Sequence, residues 1–469
     1  MQFSNLKPRT LVLATALTAL LGASGCSPTT IDPVTDPNNP SLESVTANAS
    51  LTQINALVTG LEASYRLGHT NNGSYYQITG TLGREVIILA SNENRWYAEI
   101  LGTRTTGLDN AAFYSTGSYN AFARMIRAAN VLRQSTQATS VVTDAQKQGI
   151  YAFADTYEAL GKLMLLNLMG ENGIRIDVAD YLRPGKFTTG SAPALINIRQ
   201  LLDQGASELA KAGTSFSFPL STGYAGFNTP ATFLQFNRAL AARVALYQGD
   251  NAGALTALAA SFYSRTGSLA TGPQLTFRPG TGGDEGNLYY QVPNSNGATI
   301  VTVPDNFVTE AETGDLRLSK VSLRTSPRSL SNSVGTVSGN YDPVVYTSQT
   351  TPLSIIRNEE LVLIAAEARA KTNDLTGAVA DINTIRTRAG GLPAYSGAST
   401  QADLVNEILR QRRYSLFYEG QFWVDLRRLG KLNANPTPSI SLAYAGTGYK
   451  LFDRLAKPFA EVSWDNANP

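Results

Sequence analysis

Apolar residues recur at intervals of three and four along much of the chain, which is the spacing of a helix that buries one face. In the first such stretch they are Ile54, Leu57, Val58 and Leu61. The segments with this pattern are predicted to be helices and cover residues 51–67, 119–133 and 145–169. Charged residues interrupt the third segment, so we expect a core helix there and not a membrane span.

Two distant segments share a longer pattern. Residues 241–258 and 365–382 align without a gap, and each is predicted to form a helix, a short polar turn and a second, alanine-rich helix. The identical positions pair Ala241, Ala242, Asp250, Gly253 and Ala254 with Ala365, Ala366, Asp374, Gly377 and Ala378. Small residues at fixed places let antiparallel helices approach closely, as they do in tetratricopeptide repeats. The alternative is two unrelated helical hairpins.

The segment between these repeats has a different composition. Residues 262–355 are rich in Gly, Ser, Thr, Asn and Pro, with β-type stretches such as 299–303. An irregular segment of that length is uncommon in a compact domain unless it is functional. We therefore expect an insertion with a few short strands that lies on a mainly helical domain. From Asn433 onward the sequence is loop-like again.

The N-terminus has the layout of a targeting signal. Lys7 and Arg9 precede an apolar run over residues 11–21, and small residues then lead to Cys26. The run is too short for a membrane-spanning helix, which needs about 20 apolar residues. The cysteine resembles that of a bacterial lipobox, with Ala23 where Leu is usual. We expect lipid on Cys26; the alternative is an ordinary secretory signal.

These features predict three parts of the chain. Residues 1–25 are a lipoprotein signal peptide, and residues 26–50, rich in proline and without apolar periodicity, are an extended tether. Residues 51–469 are expected to form a single domain, which is long enough to bury a sizeable core without disulfides.

Charge and the scarcity of cysteine and histidine exclude several classes of function. The formal net charge is +2, and removal of Lys7 and Arg9 with the signal leaves the mature chain neutral. A neutral chain has no general attraction to nucleic acid, so no such partner is expected. The sequence has one cysteine, Cys26, and one histidine, His69. These are too few ligands for a zinc site, and a catalytic triad would have only this one histidine to use as its base.

No cofactor or metal is expected. Asp284 and Glu285 lie together in a glycine-rich loop and could offer oxygen ligands to calcium, but two adjacent acids are a weak motif.

The segment from residue 411 to 430, QRRYSLFYEGQFWVDLRRLG, combines arginines, acids and aromatics. Arg412 shares a predicted helical face with Ile408 and Leu416, so we expect it to point inward. A buried arginine needs a partner because an unpaired buried charge is very costly. The nearest acids are Glu419 and Asp425. The residues predicted to form structural ion pairs are Arg412, Arg413, Glu419, Asp425 and Arg428.

Candidate ligand contacts lie in polar, aromatic stretches. Aromatic rings stack on the C–H faces of sugars, while amides and arginines hydrogen-bond their hydroxyls. The residues that offer this combination are Asn92, Asn94, Arg95, Trp96, Tyr289 and Tyr290. For Trp96 the alternative is a packed ring. No catalytic residue is predicted.

Several of these segments resemble, in the same order, those of the SusD/RagB family. They are residues 119–132 with Arg127 and Asn130, residues 232–250, the Gly-Asp-Leu-Arg at 314–317, residues 355–392 with Asn383, Arg386 and Arg388, and residues 411–430. One difference is that no proline follows Met169 before Pro184, where many members have a Gly-x-x-Pro turn.

The resemblance implies about four tetratricopeptide-like units with long irregular insertions and a few short strands. It also implies a non-catalytic, surface-exposed outer-membrane lipoprotein that captures oligosaccharides or peptides for a SusC-like TonB-dependent barrel. In starch-binding members, an aromatic and an amide from the region of Trp96 contact glucose. Two alternatives remain open on the residues: a glycoside hydrolase, which needs two carboxylates about 5–10 Å apart, and a helical scaffold that binds only proteins.

Overall fold

The structure is a computed structural model that describes residues 42–104, 107–280, 285–445 and 448–468, except the side chain of Ser44. The chain divides into two units, residues 1–45 and residues 46–469. The predicted signal peptide and Cys26 lie outside the described residues, as does Asp284.

Helices form most of the regular structure. Those in the described residues are α1 (Leu42–Asn48), α2 (Leu51–Thr70), α3 (Tyr75–Leu82), α4 (Phe113–Ala138), α5 (Asp144–Met169), α6 (Ala192–Leu209), α7 (Pro230–Gln248), α8 (Asn251–Ala259), α9 (Asn306–Thr309), α10 (Asn358–Lys371), α11 (Leu375–Arg388), α12 (Gln401–Ser415), α13 (Phe422–Arg428) and α14 (Phe459–Ala467). Within the described ranges, no helix is both long and apolar enough to cross a membrane.

The strands pair two by two, and each pair is antiparallel. The pairs are β1 (Ile87–Ala90) with β3 (Thr299–Thr302), β2 (Gln274–Leu275) with β6 (Leu353–Ser354), and β4 (Val321–Ser331) with β5 (Thr336–Pro343). All but β1 lie in the predicted insertion. The expectation of a mainly helical fold with a few short strands is therefore confirmed, although the β4–β5 hairpin is longer than the sequence indicated.

Side-chain capping explains where two of the predicted helices begin. Ser50 and Gln53 form a reciprocal capping box at the start of α2, and Thr143 and Gln146 form one at the start of α5. Helix α4 begins at Phe113, earlier than predicted. After Phe113 and Tyr114 the helix continues with small and polar residues over 115–118, so apolar periodicity does not reveal this part.

The internal repeat corresponds to two helical hairpins, α7–α8 and α10–α11, with the same turn. Asp250 accepts a hydrogen bond from the Gly253 amide at 2.8 Å, and Asp374 accepts one from Gly377 at 2.9 Å. A Cβ at Gly253 or Gly377 would lie 1.9 or 2.1 Å from the capping carboxylate, which explains the glycines. The matched alanines are buried, so the helices approach closely as predicted.

The largest core cluster has His69 inside it. His69 is 1% exposed and its Nδ1 lies 3.1 Å from the Tyr289 hydroxyl. The rings around it belong to Tyr65, Tyr75, Tyr76, Phe122 and Tyr289. Burial lowers the pKa of His69 to about 3, so the ring is neutral and serves packing.

Buried charges join three helices near the C-terminus. The Asp425 carboxylate of α13 lies 2.5 Å from Nε of Arg412 on α12 and 2.8 Å from Nη2 of Arg428. Arg428 also donates to both oxygens of Glu367 on α10 at 2.6 Å. Burial opposes ionisation of Glu367, but Arg428 and Lys371 outweigh it and lower the pKa of Glu367 to about 2. Helices α10, α12 and α13 are thus fixed to one another.

The remaining acids and arginines of this segment have other partners. Glu419, which sequence reasoning offered as a partner for Arg412, instead accepts from Arg357 at 2.7 Å. Arg357 also pairs with Glu359. Arg413 lies 2.5 Å from Glu310, which belongs to the insertion.

Two short helices differ from expectation. Residues 42–48, expected to be extended, form α1, and residues 459–467 form α14 where a loop was expected. None of the residues of α14 is buried, so the sequence has no apolar periodicity that would predict a helix there. Side chains hold it instead: Glu461 accepts from the Tyr119 hydroxyl at 3.0 Å and from Arg175 at 2.8 Å.

These contacts predict that substitutions of Asp425 and Glu419 lower the free energy of unfolding by different amounts. Asp425→Asn removes the carboxylate between two buried arginines and should lower the free energy of unfolding by about 3–5 kcal/mol. Glu419→Ala should cost less, about 1–3 kcal/mol, because Glu359 still pairs with Arg357. Urea denaturation measures both.

The matched control is Asp453→Asn, since the Asp453 side chain is 50% exposed. We expect a change within about 0.5 kcal/mol there. An Asp425→Asn protein as stable as this control would contradict the structural role of the ion pairs.

Candidate functional site

The loop after β1 displays polar side chains to solvent. Asn92 and Asn94 are exposed, and the backbone there is fixed because Ser91 N donates to Ala298 O at 2.8 Å, which continues the β1–β3 ladder. A 3₁₀ turn over Asn94–Trp96 follows, capped by Glu93, whose carboxylate accepts from the Arg95 amide at 3.3 Å. This local structure points the amides and the guanidinium outward.

The half-buried ring of Phe113 lies beside these polar side chains. The Arg95 guanidinium lies over Phe113, 4.9 Å from the ring centroid, and Trp96 packs on the same ring at 4.9 Å. Phe113 is the first residue of α4, so the helix fixes its position. We call Asn92, Asn94, Arg95 and Phe113 the Phe113 surface. It combines two exposed amides, a cation and an aromatic ring.

The charges around this surface balance locally. Arg95 Nη2 lies 2.5 Å from Glu93, and this hydrogen-bonded contact lowers the pKa of Glu93 and raises that of Arg95. Arg104 lies 3.1 Å from Glu99, which also accepts from the Tyr114 hydroxyl at 2.6 Å. Burial, and then this hydrogen bond to Glu99, raise the pKa of Tyr114. The surface therefore suits hydrogen bonding to neutral groups more than attraction of a net charge.

Two rings predicted to stack on a ligand are buried. Trp96 is 5% exposed, and Tyr289 is 1% exposed. Tyr289 stacks on Tyr76 with centroids 4.9 Å apart, and its hydroxyl accepts from the Tyr76 amide at 3.2 Å. Neither ring offers a free face, so stacking on a ligand does not fit this arrangement. Trp96 instead supports Phe113 from behind.

The other predicted contacts separate into two groups. Asn92, Asn94 and Arg95 come together on the Phe113 surface. Tyr290 is half-buried and makes no hydrogen bond or ring contact with that surface among the described residues. Sequence reasoning missed Phe113. The feature of the sequence that could have pointed to Phe113 is an aromatic residue shortly before the helix predicted from residue 119.

Metal binding finds no support in the part of the chain that is described. There, no three His, Cys, Asp or Glu side chains lie close enough together to hold an ion. Glu285 is within the described residues, and its neighbour Asp284 is not.

Comparison with known proteins identifies the family signature. Residues 330–461 match the SusD family model. This range contains the helices α10 to α13 and the buried ion pairs between them. The resemblance to the SusD/RagB family is therefore confirmed. No curated protein sequence matches the chain.

Solved structures share the fold over nearly the whole chain at low identity. A SusD superfamily protein from Parabacteroides distasonis has a TM-score of 0.65 and 14% identity, covering 88% of this chain and 97% of its own. One from Bacteroides vulgatus has a TM-score of 0.62 and 15% identity over 88% and 97%. A SusD-like carbohydrate binding protein from Bacteroides vulgatus has a TM-score of 0.56 and 17% identity over 81% and 83%. The chain has the SusD superfamily fold.

The burial of Trp96 predicts that this residue acts on stability. Trp96→Ala should lower the free energy of unfolding by about 3–5 kcal/mol, the range for removing a packed aromatic ring. Asn94→Ala, two residues away and exposed, should change it by no more than about 0.5 kcal/mol. Urea denaturation followed by circular dichroism compares the two. Equal stability of both variants would show that Trp96 is not packed as described.

Proposed function

We propose that this chain is a non-catalytic, cell-surface lipoprotein that binds nutrient oligomers, glycans in the first place, at the Phe113 surface. It delivers them to a TonB-dependent transporter in the outer membrane. The observation that carries the binding role is the exposed combination of Asn92, Asn94 and Arg95 beside the ring of Phe113. The SusD family match and a structural neighbour named as carbohydrate binding support glycans over peptides.

The chemistry of the surface suits a sugar. The half-buried Phe113 ring can contact C–H groups of a sugar, and the amides of Asn92 and Asn94 can donate hydrogen bonds to sugar hydroxyls and accept hydrogen bonds from them. Glu93 holds the Arg95 side chain in place through contacts at 2.5 and 2.8 Å. A guanidinium fixed before binding loses less conformational entropy when a ligand arrives. An open surface of this kind supports capture and release.

Delivery to a transporter is supported by the sequence at the N-terminus and by the family match. Lipid on Cys26 would tether the mature chain to the outer membrane, where the barrel resides. The helical array then serves as the scaffold that presents the Phe113 surface.

A glycoside hydrolase is disfavoured at this surface. Such an enzyme needs one carboxylic acid with a raised pKa to protonate the leaving group. Glu93 has a lowered pKa, and Glu99 is already bound by Arg104 and the Tyr114 hydroxyl. Neither Glu93 nor Glu99 is therefore arranged to protonate a leaving group.

Binding should depend on the Phe113 surface. After a glycan array has identified an oligosaccharide that binds, Asn94→Ala, Arg95→Ala and Phe113→Ala should each weaken its affinity about 5- to 30-fold, the equivalent of one or two lost contacts. Calorimetry measures the change. Arg199→Ala, an arginine paired with Asp203 on α6, is the matched control and should bind normally. Unchanged binding by all three variants would remove this surface from the site.

Anchoring and delivery are tested in the native membrane. The full chain should incorporate labelled fatty acid and co-purify with an outer-membrane barrel from detergent extracts. Cys26→Ala should lose the label, since Cys26 is the sole cysteine. A wild-type protein that takes up no label would contradict lipid anchoring, and one that never brings down a barrel would contradict delivery.

A further inference from the structure

A groove on another part of the domain has a chemistry that the Phe113 surface lacks. It has a volume of about 170 Å³. Its floor is made by α4 and α5, one wall by the segment that follows α5, and the other wall by α14. The residues that line it are Tyr119, Ala123, Ile126, Arg127, Leu165, Arg175, Val178, Tyr181, Pro184 and Glu461. We call it the Tyr181 groove.

An exposed ring and a cation meet at its edge. Tyr181 is 54% exposed, and the Arg127 guanidinium lies over its ring at 3.9 Å from the centroid. Within the described part of the chain, Arg127 pairs with no carboxylate. The ring attracts the guanidinium without neutralising it, and Arg127 lines a groove with an apolar floor.

The other charges of the groove are already neutralised. Arg175 is 6% exposed and lies 2.8 Å from Glu461 and 2.7 Å from Asp465. The second oxygen of Glu461 accepts from the Tyr119 hydroxyl at 3.0 Å. These contacts fix α14 against the loop and leave Arg127 as the group that can bind an anion.

The size of the groove limits the occupant. Sites for drug-sized ligands begin at roughly 300 Å³, so this groove suits a single small ring and not a whole oligomer. The exposed ring of Tyr181 suits a sugar face, and the guanidinium of Arg127 suits a carboxylate in bidentate geometry.

We propose that the Tyr181 groove binds one carboxylate-bearing pyranose, a hexuronate unit, of a captured glycan, with the carboxylate on Arg127 and the sugar ring against Tyr181. This inference rests on the proposed function as a glycan-binding protein and adds a class of ligand to it. The groove gives the chain a preference for acidic over neutral glycans.

The two sites lie on one helix. Phe113 and Arg127 are 14 residues apart on α4, which is about 21 Å along the axis and close to the same helical face. An extended oligosaccharide can thus reach from one site towards the other, so that a neutral part contacts the Phe113 surface and an acidic unit contacts Arg127.

Calorimetry with matched ligands tests the proposal. The probes are trisaccharides of galacturonate, glucuronate and mannuronate, each compared with its neutral methyl ester, which has nearly the same shape but no charge. For at least one of the three, the wild-type chain should bind the acid about tenfold more tightly than the ester, the equivalent of one charge-assisted contact. Added salt should reduce this preference.

Variants assign the preference to the groove. Arg127→Met removes the charge and keeps the length of the side chain, and it should abolish the difference between acid and ester. Tyr181→Ala should weaken both ligands. Arg124→Met, an exposed arginine one turn earlier on the same helix, is the matched control and should keep the preference. Thermal unfolding of each variant verifies that it is folded.

The outcomes separate this inference from the proposed function. If Arg127→Met retains the preference, or if wild type binds each acid and ester equally, the uronate site is refuted while glycan binding stands. If neither these trisaccharides nor any glycan on the array binds, the proposed function fails and the uronate site fails with it.

Discussion

The arrangement of the C-terminal half depends on the carboxylate of Asp425. It lies between two buried arginines, Arg412 and Arg428, which come from two helices, and Arg428 continues the contact to Glu367 on a third. A buried guanidinium without a partner costs several kcal/mol, so each helix is stable in place only when the others are present. The alanine-rich faces of α10 and α11 could pack in several registers, whereas the ion pair between Arg369 of α10 and Asp381 of α11 favours one. We infer that the charges select the register and the alanines permit the close approach.

The same principle extends to the insertion, which holds much of its structure through charges at its base. Arg413 binds Glu310, and Arg386 binds Glu312 at 2.7 Å. Strand β3 lies just before these acids in the chain, and it pairs with β1, which leads into the loop that carries Asn92. Further along, Asn332 in the β4–β5 hairpin donates to the Tyr97 carbonyl at 2.7 Å. The loop of the Phe113 surface is thus fixed by contacts that trace back to the arginine-rich segment.

Sequence reasoning succeeded where the information is local. The capped turn at Asp250 and Gly253 repeats at Asp374 and Gly377, because each turn needs only residues three apart in sequence. It left two possibilities open for Trp96, a ligand contact or a packed ring, because its neighbours in sequence are polar. The ring turns inward because Phe113, 17 residues further on, covers it, and no periodicity within the loop can report a contact of that range. For the same reason α14 was missed: Tyr119 and Arg175, which bind its Glu461, lie hundreds of residues away.

A capture protein, as we propose this chain to be, must also release what it binds, and the placement of the two proposed sites on α4 suits that need. When an oligomer contacts both sites, the second contact forms at a high effective concentration, so affinity rises without any single strong interaction. Each contact can then break separately, which lets the ligand leave in steps towards a partner that competes for one end. A single deep pocket of equal affinity would have to lose all its contacts at once. If the Phe113 surface and the Tyr181 groove both bind ligand as proposed, they are therefore better suited to transfer than to storage.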